Sequence, residues 1–143
     1  MTPDVDQILK TSAAQLMTNI MPLLPPGYAQ GHASLLSFMM IMSAQEYGRA
    51  AEVRAAENAD MRSLFAALAS DIADRDLREK LVAAAEVRDP SLAIAALNAS
   101  NAELRRLLIA LHVHVETHGP KAAERRIWEV LQRAAARRVV TLG

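Results

Sequence analysis

The chain has 143 residues, 52% hydrophobic and 22% charged, which suits a packed globular core and excludes a disordered chain. Sixteen basic and sixteen acidic side chains cancel, so no global field draws in nucleic acid or an anionic membrane. Cysteine is absent, which excludes disulfides, thiolate catalysis, Cys-ligated zinc and iron–sulfur clusters.

Alanine is roughly one residue in five, and Pro and Gly fall almost entirely between apolar-periodic segments rather than inside them. A first helix is expected from Thr2 as N-cap, with Pro3 at the first helical position and Asp4 and Asp6 near the positive helix end. Val5, Ile8, Leu9, Leu16 and Ile20 share a helical period, and Pro22, Pro25, Pro26 and Gly27 stop it. The second helix is predicted from about His32 to Glu57. Its first half is apolar on nearly every side through Leu35, Leu36, Phe38, Met39, Met40, Ile41 and Met42. In its second half Arg49, Glu52, Arg54 and Glu57 carry the solvent side. A segment apolar all round must be covered by protein, at the centre of a bundle or in a subunit interface.

Asn58 or Asp60 reads as the cap of a third helix through Leu64, Phe65, Leu68 and Ile72, and a fourth follows through Leu77, Leu81 and Val82. Asp89-Pro90 reads as the start of a short fifth helix through Leu92, Ile94 and Leu97. Ser100-Asn101-Ala102-Glu103 has capping-box spacing and opens a sixth, which ends at His118 with Gly119 and Pro120 beyond. The last helix is predicted over about Lys121 to Val140. No window alternates with a strand period. The reading is all-α: one domain over residues 1–143, a compact helical bundle of six to seven helices with the long second helix at its centre.

Three histidines and a carboxylate cluster in Leu111-His112-Val113-His114-Val115-Glu116-Thr117-His118. On a helix His112 pairs with Glu116 and His114 with His118, spacings that chelate a divalent metal. The two pairs point in different directions, so each is half a site; Glu46, His32 and Glu52 are the candidate completing ligands. The His112-x-x-x-Glu116 spacing resembles an element of hemerythrin-like bundles, although the other ligands of that pattern have no counterparts and Glu-x-x-His is missing. The same histidines also suit structural or capping positions at a helix C-terminus, where a cation is favoured by a few tenths of a kcal/mol.

Met39, Met40 and Met42, followed by Glu46, form the second candidate: flexible side chains that fill a core, an interface or a pocket for an apolar small molecule. The last helix is locally basic, with Ile127, Leu131, Ala134 and Ala135 as its apolar stripe and Trp128 beside it. Arg126, Arg133 and Arg137 lie opposite, where Glu129 can pair with Arg126 and Arg133. Leu92 to Leu108, with a turn at Asn98-Ala99-Ser100 and Arg105 and Arg106 on the second helix, follows a helix-turn-helix outline. It lacks the turn glycine, and the chain is neutral, so nucleic acid is a disfavoured partner.

No phosphate loop, nucleophile elbow or His-Glu-x-x-His is present, so no catalytic residue is assigned. The acidic opening and an apolar run from Leu35 to Met42, far short of the ~20 residues that span a bilayer, point to a cytoplasmic chain away from membranes. The function expected is a non-catalytic interaction or regulatory module acting as a homodimer, with a protein partner of its own. The alternative is a bundle binding a divalent metal or an apolar small molecule.

Overall fold

The computed structural model describes residues 4–139, all helix and connection with no strand among them. Its α-helices are α1 (Val5–Gln15), α2 (Tyr28–Leu68), α3 (Arg75–Glu86), α4 (Ile94–His118) and α5 (Lys121–Arg137). The expected six to seven helices are therefore five, and the long second helix is longer than its sequence limits of His32 and Glu57.

Two mergers account for the difference. The residues read as caps, Asn58 and Asp60 in one place and Ser100 to Glu103 in the other, lie inside α2 and α4. Short polar side chains are ambiguous between capping a helix and bonding elsewhere. Here Asn58, Asp60 and Asn101 are spent on other helices, so nothing interrupts the ladder. Asp89-Pro90 likewise starts no helix; α4 begins at Ile94 behind Ala93. The turn on which the helix-turn-helix outline rested is therefore replaced by continuous helix from Ile94 to His118.

The predicted start at Thr2 and Pro3 and the predicted end at Val140 lie outside the described residues; α1 opens behind Asp4. After Gln15 the chain widens into a π turn (Leu16–Ile20) and tightens into a 3-10 turn (Met21–Leu23). Pro22 has no N–H for an α-helical bond, so regular geometry ends around it. Gly27, at φ 109°, takes a left-handed conformation open to glycine, and its carbonyl accepts the Gly31 N–H at 3.1 Å as α2 begins. Gln30 Nε2 donates to the Leu24 carbonyl at 3.2 Å, and Ser34 Oγ approaches Met21 Sδ at 3.2 Å. These contacts hold the connection against the first turns of α2.

The chain forms two compact units, one running up to Ala50 and one from Ala51 to Val139. In the second unit α2 contributes Met61, Leu64, Phe65 and Leu68, α3 Leu81, α4 Leu104, Leu108, Leu111 and Val115, and α5 Ala123, Ile127 and Val130 to one buried cluster. In the first, the buried residues are small: Ala13, Ala33, Ser37 and Ala44.

Between α4 and α5, Gly119 is extended (φ −94°, ψ 163°), not left-handed as a helix-ending glycine often is. Pro120 imposes this, because its ring disfavours other conformations in the residue before it. Glycine is required there for space: a Cβ would lie 2.8 Å from Val115 Cα.

Candidate functional site

The second unit is tied together by a polar network on α2, α4 and α5. Glu57, expected from the sequence to lie on the solvent side, is instead buried, only 2% exposed. Arg138 clasps it with two hydrogen bonds, Nε to Oε1 at 2.6 Å and Nη2 to Oε2 at 2.7 Å. Arg105 Nη2 and Asn101 Nδ2 also donate to Oε2, at 3.3 and 3.2 Å. Asn101 Nδ2 further reaches Asn58 Oδ1 at 2.9 Å, and Asn58 Nδ2 donates to the Leu97 carbonyl and to Asp89 Oδ1. Asp89 is in turn gripped by both Nη atoms of Arg62, at 3.2 and 2.8 Å. One turn along α2, Asp60 accepts from Arg133 Nε at 3.2 Å and Arg137 Nη1 at 2.7 Å. Arg133 and Arg137 therefore fasten α5 to α2.

Three carboxyls are consequently held below the ordinary carboxylate range. Burial pushes Glu57 up, but the Arg138 and Arg105 guanidiniums outweigh it. Asp60 is raised by burial and lowered further by Arg137 and Arg133, and Asp89 is lowered chiefly by its Arg62 hydrogen bonds. A carboxyl held ionised in this way is the reverse of a general acid tuned toward neutrality. The network is suited to fastening helices.

The same shifts set a pH dependence. A carboxyl whose pKa is lower in the folded state contributes stability that is present above its unfolded pKa, about 4, and lost as pH falls through the folded value. The melting temperature is therefore expected to be level near neutrality and to fall steadily as pH drops below about 4. Glu57→Gln should make that fall shallower. Thermal melts between neutral and acid pH check it; an equally steep fall in Glu57→Gln would remove Glu57 as a contributor.

The histidine cluster lies on α4 in two separate pairs. His112 Nε2 is 3.4 Å from Glu116 Oε1 without hydrogen-bond geometry, and its ring meets Trp128 edge-on at 5.5 Å. The His114 and His118 rings lie 5.3 Å apart at 35°, beside Asp74 and Asp76 in an open groove between α3 and α4. Among the described residues no three metal-ligating side chains converge. Within the first unit, Glu46 pairs with Arg49 at 3.9 Å, and the His32 ring lies 4.1 Å from Tyr28, tilted by 48°.

The Met-rich stretch belongs to the first unit, where the sidedness of α2 is inverted. Its small residues Ala33, Ser37 and Ala44 are buried, whereas Leu35, Leu36, Phe38 and Met39 stand exposed, Leu35 by 54% and Met39 by 56%. Met40 and Met42 are half-buried, and Glu46 is exposed. Leu35, Phe38, Met39 and Met42 follow three- and four-residue spacing and form one outward stripe.

Sequence reasoning missed the buried polar residues. The signal was their register: Glu57, Met61, Leu64 and Leu68 share one helical stripe, as do Leu97, Asn101, Leu104, Leu108, Leu111 and Val115. A polar residue at a core position of such a repeat must find partners on a facing helix.

No family model, curated protein or solved structure matches the chain. No helix among the described residues is long and apolar enough to cross a membrane.

Proposed function

We propose that the chain is a non-catalytic interaction module that self-associates through the outward apolar stripe of α2 in the first unit. The observation that supports this reading is the inverted burial there: alanine and serine inside, leucine, phenylalanine and methionine outside. A contiguous apolar patch of this kind marks an interaction surface. Methionine suits it, being flexible enough to fill irregular space against an opposing helix. A second copy is the simplest partner, because the chain has no net charge to hold copies apart. The ionised, arginine-clasped carboxyls of the second unit then serve as scaffold. Sedimentation velocity and native mass spectrometry over a concentration series test the reading. A concentration-dependent dimer or higher oligomer at micromolar protein is expected. A strict monomer at high micromolar concentration overturns it.

A further inference from the structure

The second unit contains a recess of about 150 Å³ lined by Met61, Leu108, Ile109, Val130, Leu131 and Ala134, and bordered by Glu57, Asp60 and Arg105. A cavity of about this volume in another protein accommodates benzene, so the apolar space here suits a ring or a chain of about six carbons.

The charges beside the recess decide what else such a ligand carries. Glu57 and Asp60 are matched against Arg105, Arg133, Arg137 and Arg138, four cations against two anions. Arg138 already satisfies both oxygens of Glu57, and Arg137 with Arg133 satisfies Asp60. Arg105 is less committed. Its Nε is held by Asn101 Oδ1 at 2.8 Å and its Nη2 by Glu57 at 3.3 Å, while its side chain is 48% exposed. Two of its three nitrogens are thus anchored, and Nη1 carries no hydrogen bond within the described residues. A preoriented guanidinium beside an apolar recess recognises an oxyanion, for which its planar donors are matched.

We propose that this recess binds a small monocarboxylate whose apolar group is about the size of a benzene ring, with the ring inside and the carboxylate on Arg105. The site is independent of the α2 stripe in the first unit, so it stands or falls separately from self-association.

Phenylacetate, 2-phenylethanol and phenethylammonium share the ring and differ in the head group. Titrating each into the full chain, followed by chemical shifts of Leu108, Val130 and Ala134, tests the proposal. Phenylacetate is expected to bind about tenfold more tightly than the alcohol, and the ammonium more weakly than either. Arg105→Gln should bring phenylacetate down to the affinity of the alcohol while leaving alcohol binding intact, which also shows that the recess still folds. Ala134→Leu, which fills the space at a half-buried position, should abolish binding of all three. Equal affinities for the three head groups, unchanged phenylacetate affinity in Arg105→Gln, or no shifts at millimolar phenylacetate in the wild type would each overturn it.

Discussion

Arg138→Ala is expected to lower stability by about 3 kcal/mol at neutral pH, more than Glu57→Gln, although both break the same contact. The asymmetry follows from burial. Glu57 is 2% exposed, whereas the Arg138 and Arg105 side chains are 40% and 48% exposed. Removing Arg138 strands an ionised carboxylate inside the protein, and stranding a buried charge costs about 3–5 kcal/mol. The lower end applies because Arg105 and Asn101 still reach Oε2. Glu57→Gln instead removes the buried charge, keeps the shape, and leaves two arginines that turn to water. Its cost is expected at about 1–2 kcal/mol, from hydrogen bonds lost or weakened. The double variant should then be less destabilised than the sum of the two, because Arg138→Ala has no anion left to strand. Urea unfolding of the three variants checks this as a double-mutant cycle. A Glu57→Gln cost equal to or above that of Arg138→Ala would show that the pair does not act through charge burial.

Leu35→Glu with Met39→Glu is expected to weaken self-association by at least 100-fold. Each side chain has about half its surface exposed, and completing the burial of a large apolar residue is worth on the order of 1 kcal/mol. The larger contribution is opposed: two carboxylates per copy would have to lose water and approach their own copies across the interface. Sedimentation equilibrium of the double variant gives the dissociation constant. The buried cluster of the second unit contains neither residue, so its cooperative unfolding should be retained. Unchanged association would place the interface elsewhere. Leu35→Ala with Met39→Ala should give a smaller weakening in the same direction, since it removes contact area without introducing charge.

Local signals alone determined several elements. Asp74 at the head of α3 accepts the Leu77 N–H at 3.1 Å, a local cap that the reading through Leu77, Leu81 and Val82 did not single out. Gly119-Pro120 ended α4 where a proline and a crowded Val115 require it. The absence of strands among the described residues was also legible, because apolar spacing of three and four over many turns has no competing period of two. So was the all-round apolar character of residues 35–42, although not the direction in which it faces.

Tertiary structure decided whatever depended on a partner distant in sequence. Asn58, Asp60 and Asn101 carry short polar side chains that satisfy either a helix end or a neighbouring helix, and their own segments do not distinguish the two. Asp89, 31 residues from Asn58, and Arg137, 77 residues from Asp60, made the choice, and with it the number of helices. Glu57 looked solvated because Glu52 and Arg54 precede it; Arg138, 81 residues away, made its burial tolerable. The inversion in the first half of α2, with Ala33, Ser37 and Ala44 buried, was likewise not legible from the period alone. Helical period shows which residues share a face, but which face is covered is settled by what packs there, and small residues allow the closest approach. In this chain the local code specified helices, and long-range pairing of charge and shape specified where they end, which way they face, and the recess beside Arg105.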